Sequence, residues 1–268
     1  MTPRPLGRTG LSVSPVSFGA FKIGRNRGTK YPTPYPLPTD AEAEGLLNAA
    51  LDAGVTLIDT APAYGASEAR IGRFLSHRRD EFTLCTKVGE RWGLGPSGES
   101  ESRYDFSRTA VFASVVRSLR TLKTDAVDLL LIHSDGRDAY VQNETDAVET
   151  LLDLKRRGLA RYVGLSGKRP SGCAQALKWA DVVMVEYHAE DTSHAAVMVE
   201  AEHRGVGVLV KKALAAGRHD PAAAVRFGLD GPGVSSLVIG TASAANLRAN
   251  VAAAKAWRPG KSLLRAAA

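Results

Sequence analysis

Short apolar runs and longer amphipathic stretches alternate along this chain from near residue 15 almost to its end. The short runs centre on Val16 to Gly19, Thr56 to Asp59, Thr83 to Thr86, Asp128 to Ile132, Tyr162 to Leu165, Val182 to Val185, Val206 to Val210 and Ser236 to Ile239. Their middles are rich in Val, Ile and Leu with little alternation of polarity, as expected for parallel strands covered on both faces. Between them apolar positions recur at helical spacing. Ala43, Leu46, Leu47, Ala50 and Leu51 form one such stripe, stopped by Gly54. Others run from Ser107 to Leu122, Thr145 to Arg157, Ser171 to Ala180, His194 to Arg204, Pro221 to Leu229 and Ala244 to Trp257. Ser107 and Thr145 stand where N-caps are wanted, Pro221 suits a first helical turn, and Gly158 and Gly205 suit C-terminal stops. Eight alternations with no break in composition predict an α/β protein, a (β/α)8 TIM barrel that forms one domain over residues 1–268.

Two stretches interrupt the pattern. Residues 24–38 carry Gly24, Gly28, Pro32, Pro34, Pro36 and Pro38, and residues 89–106 carry Gly93, Gly95, Pro96, Gly98 and several Ser. Both read as long irregular loops, and both follow strands, so they should overhang the barrel mouth. Phe21, Tyr35 and Trp92 are the expected substrate contacts there; plain covering loops are the alternative reading.

Charge and composition narrow the partners. A formal net charge of +7 suits a nucleic-acid surface in principle. The basic residues are nevertheless scattered over many helices, as in Arg78-Arg79, Lys155-Arg156-Arg157 and Lys211-Lys212, with few aromatics among them. A small-molecule substrate is expected rather than nucleic acid. No apolar run approaches the roughly 20 residues of a membrane span, and Met1 to Arg8 lacks the apolar core of a signal peptide, so a cytoplasmic location is expected. Cys85 within a strand and Cys173 near a helix start suggest neither a disulfide framework nor a metal clip. No metal site is expected.

The ends of the strands hold the candidate chemistry. Ile58-Asp59 is followed by Tyr64, Thr83 to Thr86 runs into Lys87, and Asp128 to Ile132 runs into His133. In a parallel barrel these four groups emerge at one rim, where α/β folds place their chemistry. Taken singly, each has an ordinary structural explanation as a cap, a packed ring or a satisfied core group. Their joint occurrence is much harder to explain that way.

The chain resembles the aldo-keto reductase superfamily in Pro5-Leu6-Gly7-Arg8-Thr9-Gly10-Leu11, Asp59-Thr60-Ala61-Pro62-Ala63-Tyr64-Gly65-Ala66-Ser67-Glu68, Thr86-Lys87, Asp125 to Leu129, Ile132-His133, Gly240-Thr241 and Asn250. The resemblance implies a barrel that interconverts carbonyls and alcohols with a nicotinamide cofactor. Its catalytic positions fall on Asp59, Tyr64, Lys87 and His133. Tyr64 would protonate the carbonyl oxygen, Lys87 would lower the phenol's pKa, Asp59 would hold Lys87, and His133 would orient the substrate oxygen.

The resemblance also implies a cofactor surface: Gly19, Ser166, Met184, Lys211, Leu214, Gly217, Arg218, Gly240, Thr241, Ser243, Asn246 and Asn250. Here the chain departs from the family pattern. Gly167 replaces an Asn, Met184 replaces a Gln, and Lys211 stands where an aromatic commonly stacks on the nicotinamide ring. Two readings follow, a working reductase or dehydrogenase, and a nicotinamide-sensing barrel with little turnover. The family habit favours NADP, whereas the final loop from Gly240 to Asn246, without Lys or Arg, favours NAD or mixed use; NADP is kept as the expectation.

Overall fold

All eight apolar runs form strands in the computed structural model, which describes residues 1–29 and 35–258. We number them β1 (Val16–Gly19), β2 (Leu57–Asp59), β3 (Thr83–Val88), β4 (Val127–His133), β5 (Ala160–Ser166), β6 (Val182–Glu186), β7 (Gly207–Lys211) and β8 (Val234–Gly240). Each pairs in parallel with its neighbours in chain order, and β8 closes on β1, giving the expected (β/α)8 barrel.

Two apolar cores hold it. Inside the barrel, Leu57, Cys85, Leu129, Leu131, Val182, Met184, Leu209 and Val238 pack together, with Leu6 and Val13 among them. Those last two belong to an N-terminal hairpin, Arg4–Pro5 against Ser12–Val13, that the sequence pattern did not show. The larger core lies between strands and surrounding helices, so the strands are covered on both sides. Burying each Val, Leu or Ile side chain there is worth about 1.5–3 kcal/mol.

The helices are α1 (Asp40–Asp52), α2 (Ser67–Phe74), α3 (Arg108–Leu122), α4 (Asp138–Asn143), α5 (Ala147–Arg156), α6 (Pro170–Ala176), α7 (Ala195–Arg204), α8 (Pro221–Leu229) and α9 (Ala244–Ala256). A capping box starts α1: Thr39 Oγ1 accepts from the Glu42 N–H, and Glu42 accepts from the Thr39 N–H at 2.8 Å. Helix α7 ends at Gly205 in the left-handed conformation, as expected of a glycine stop. Thr145 does not cap as expected. Helix α5 begins two residues later, and Thr145 Oγ1 accepts from the Ala147 N–H.

Residues 89–106 are not an irregular loop. Glu90–Leu94 and Ser100–Tyr104 form an antiparallel hairpin over the rim, closed by the turn in which Gly95 N–H donates to Glu99 O. Of the proline-rich segment, residues 30–34 lie outside the described residues, as do residues 259–268 of the expected domain. Among the described residues, no helix is long and apolar enough to cross a membrane.

Candidate active site at the barrel rim

Strand register decides which groups meet. Gly240 pairs with Gly19, Gly19 with Asp59, and Asp59 with Cys85, so Lys87 emerges two residues farther along β3. His133 pairs with Ser166 and Ser166 with Met184, and Glu186 pairs with Lys211. The ends of β1 to β8 thus form one continuous rim.

Tyr64 is carried by a short 3-10 turn, Pro62–Tyr64. Its position depends on a contact between two glycines. Gly65 has φ +61°, and a Cβ there would strike the Gly24 carbonyl, while a Cβ on Gly24 would strike the Tyr64 carbonyl. Ala66 N–H donates to Gly24 O at 3.1 Å across the same contact, fixing the Tyr64 turn against the segment that carries Phe21.

Lys87 is fully buried and donates to Asp59 Oδ1 at 2.5 Å and to the Thr60 carbonyl at 2.9 Å. Its Nζ lies 4.7 Å from the Tyr64 ring centroid, a cation–π distance. The Tyr64 ring meets Phe21 edge-on at 5.1 Å and His133 edge-on at 5.9 Å. Asp59, Tyr64, Lys87 and His133 therefore converge as the strand ends implied.

The electrostatics correct one expectation. Burial is the largest influence on the Tyr64 phenol and raises its pKa; Lys87 pulls it down, Asp59 pushes it back up, and the net direction is upward. Tyr64 as a whole is half-buried. Lys87 does not make the phenolate abundant because its own charge is largely matched by Asp59. For Lys87 burial acts to lower the pKa, but Asp59 and Tyr64 outweigh it and hold the amine as an ammonium.

A fifth polar group belongs to the cluster. Glu90, just past the end of β3, places Oε2 2.8 Å from His133 Nδ1. The approach is ionic in distance, and the ring N–H is not aimed along it as in an ideal hydrogen bond. Burial favours neutral His133 and lowers its pKa, with Glu90 opposing. Burial would raise Glu90, yet His133, Ser102 and Arg25 bring its carboxyl down to about 2. His133 leans toward its neutral form, and the Glu90 carboxylate stays charged. The sequence signal for Glu90 is an acid directly after Gly89, three residues beyond Lys87, within the stretch that reads as an irregular loop.

Arg25 was missed as well. It is buried, stacks over Trp92 at 4.9 Å and Phe21 at 5.6 Å, and lies 3.9 Å from Glu90 Oε1. Trp92 Nε1 donates to Ser100 Oγ within the hairpin. Tyr35 sits farther back, its hydroxyl donating to the Arg25 carbonyl at 2.5 Å and its ring under Lys22. Phe21 and Trp92 thus wall the space beside Tyr64, whereas Tyr35 braces that wall.

The expected cofactor residues lie farther around the same rim. Lys211 Nζ donates to Ser166 Oγ at 3.0 Å and to the Gly167 carbonyl at 2.6 Å, and Ser166 Oγ donates to Met184 Sδ at 3.6 Å. Burial lowers the Lys211 pKa to about 8, helped by Lys212 and Lys87 and opposed by Cys173. Met184 is buried inside the barrel. Leu214, Gly217 and Arg218 follow β7, and Arg218 pairs with Glu190 at 3.2 Å. At the start of α9, Thr241 Oγ1 accepts from Ser243 N–H, and Ser243 Oγ accepts from Asn246 N–H. Asn250 is buried on α9, and Asn246 and Arg248 are exposed.

These residues fit a nicotinamide dinucleotide at two places. The first N–H groups of α9, beside Gly240, form a helix N-terminus of the kind that suits a phosphate. Lys211 and Ser166 offer polar atoms at the rim near Lys87 and His133. Gly167 and Met184 bring no side-chain amide to this part of the rim, and the polar side-chain atoms there are the Lys211 ammonium and the Ser166 hydroxyl.

Comparison with known proteins agrees with this geometry. The profile of the Aldo/keto reductase family matches residues 15–222. A Pseudomonas aeruginosa protein assigned to the aldo-keto reductases has a solved structure 43% identical to this chain, covering 94% of it and 93% of that protein, with a TM-score of 0.84. D-threo-aldose 1-dehydrogenase of a Pseudomonas species is 28% identical over 66% of this chain and 56% of its own length. L-galactose dehydrogenase of Arabidopsis thaliana is 29% identical over 80% of this chain and 66% of its own. The chain thus spans about half to two thirds of the length of these curated relatives.

Proposed function

Because the chain belongs to the aldo/keto reductase family, we propose that it is a nicotinamide-dependent oxidoreductase interconverting a carbonyl and an alcohol, with sugars as the substrate class. The observation that carries this reading is the convergence of Tyr64, Lys87, Asp59 and His133 at one rim. The sugar class rests on the activities named for the two sugar dehydrogenases above.

The nicotinamide, when bound, exchanges a hydride with the substrate carbon. In reduction Tyr64 gives its proton to the carbonyl oxygen, and burial favours the protonated phenol needed for that step. The phenolate left behind forms beside the Lys87 ammonium, which stabilises it more than it does the neutral phenol. Asp59 holds Lys87 charged and in place. His133 meets the substrate oxygen from the other side: with Nδ1 turned to the Glu90 carboxylate, its Nε2 donates to that oxygen when the ring is protonated.

Ser166, Lys211, Leu214, Gly217, Arg218, Gly240, Thr241, Ser243, Asn246 and Asn250 are the proposed cofactor surface, with Gly19 and Met184 shaping its floor. NADP is proposed before NAD on the family habit, against a final loop without Lys or Arg. Phe21 and Trp92 are the proposed substrate wall, and Tyr35 supports it.

A panel of aldoses and aldehydes, assayed with NADPH and NADH by nicotinamide absorbance, tests the reading. Turnover with at least one sugar, faster with NADPH, is the expected result; faster turnover with NADH would reverse the cofactor choice. One observation favours a second reading, a nicotinamide-sensing barrel. Lys211 already donates to Ser166 and Gly167, the atoms a carboxamide would approach. Tight cofactor binding with no turnover on any carbonyl would select it.

Glu90 yields a separate prediction. Its carboxylate opposes the burial that strips His133 of its proton, so Glu90→Gln lowers the His133 pKa further. Carbonyl reduction at neutral pH should slow about tenfold for each unit of that shift, and the alkaline limb of the kcat/KM profile should move to lower pH. An unmoved limb would separate Glu90 from the reaction.

A further inference from the structure

A second group of chemically capable side chains lies away from the Tyr64 cluster, on the loops after β6 and β7. We propose that His188, Glu190 and His219 form a binding site for a divalent transition ion of the zinc type. Each offers a ligand atom, and the three atoms lie within 4.8 Å of one another. A four-coordinate zinc with bonds of about 2.0–2.1 Å sets its ligands roughly 3.4 Å apart, so closure needs movements of about 1 Å.

The two imidazoles show why a ligand belongs there. His188 is 6% exposed, and its Nδ1 is buried without a hydrogen-bond partner among the described residues. Among the described residues His219 Nε2 is also buried without a hydrogen-bond partner; it lies 3.6 Å from Glu190 Oε1, too far for a good hydrogen bond. Buried polar nitrogens are ordinarily satisfied, so two orphans on neighbouring rings, tilted by 50° with centroids 5.8 Å apart, suit a bound ion.

The scaffold supports this set. His188 and Asp191 exchange backbone hydrogen bonds at 3.0 and 2.9 Å, giving a tight turn that presents Glu190. Glu190 is exposed and, among the described residues, holds only the rim pair with Arg218 besides His219, so it can move inward. A rival set, Glu186, His188 and Asp191, is less available. Glu186 already accepts from Lys212, and Asp191 accepts from the Ser193 N–H. Two imidazoles and one carboxylate suit zinc and leave a position open to water.

An ion held there would tie the loop after β6 to the segment 214–219 after β7. The site stands on its own residues and does not depend on the proposed oxidoreductase activity.

The test uses the full chain, free of any affinity tag and stripped of metal. Titration with zinc against a chromophoric chelator should show one equivalent bound. His219→Ala and Glu190→Gln should each weaken binding by about 100-fold or more, the upper range for loss of even a supporting group. Asp191→Asn should leave it unchanged. Because His188 is buried, His188→Ala is read only if its unfolding transition matches the parent; His219→Ala and Glu190→Gln, on the rim, decide the question without it. Cobalt should give visible bands of a four- or five-coordinate site that His219→Ala abolishes. No stoichiometric binding, bands that survive His219→Ala, or loss in Asp191→Asn with retention in Glu190→Gln would overturn the proposal.

Discussion

Replacing Tyr64 by Phe is expected to lower kcat for carbonyl reduction by about 10²- to 10⁴-fold, the range for loss of a positioned general acid. The ring should stay where it is. Its contacts with Phe21 at 5.1 Å, with His133 at 5.9 Å and with the Lys87 ammonium at 4.7 Å all use ring atoms that Phe keeps. Cofactor affinity and the unfolding midpoint should therefore be nearly unchanged. Because the lost interaction belongs to the transition state, kcat and kcat/KM should fall together, with little change in KM. Burial favours the protonated phenol, so an alkaline decline of reduction is expected to come from His133, and the Glu90→Gln shift follows from the same picture. An undiminished rate in Tyr64→Phe would end the assignment of this residue as the proton donor.

The fold was legible because barrel strands are covered on both faces. Val182 to Val185 and Val206 to Val210 are continuous apolar runs, and a run of that kind has few other uses in a chain of regular alternation. Helix α2 was not legible, since eight residues containing Ser67, Glu68, Arg70, Gly72 and Arg73 leave little apolar stripe to read. The hairpin over the rim stayed hidden for a similar reason. Trp92 pairs with Ser102 and Gly93 with Glu101, so pairing, not burial, defines those strands.

At the site, strand ends gave away Asp59, Lys87 and His133, and the turn after β2 gave Tyr64. Glu90 and Arg25 could not be placed because their partners come from a hairpin and a loop whose approach only tertiary packing sets. The direction of the Tyr64 pKa failed for an instructive reason. A sequence shows that an ammonium is near a phenol, but it does not show how much water both have lost, nor that Asp59 already matches the ammonium.

That matching makes Lys87 the most costly position to change. Lys87→Met leaves the Asp59 carboxylate, 2% exposed, without its counter-charge, and an uncompensated buried charge costs about 3–5 kcal/mol. The folded-state pKa of Lys87 lies above its ordinary value of 10.5, so the amine's contribution is fully present below that pH and is lost only as pH rises further. The penalty in Lys87→Met should thus show throughout the neutral range as a lower denaturant midpoint. Turnover should fall too, since the Tyr64 phenolate formed in reduction would have no cation beside it. Combining Lys87→Met with Asp59→Asn removes both charges, and most of the lost stability should return. Activity should not return, because the electrostatic support for the phenolate is still missing. A double variant as unstable as Lys87→Met would locate the cost in packing rather than charge, and recovery of turnover in it would remove Lys87 from the chemistry.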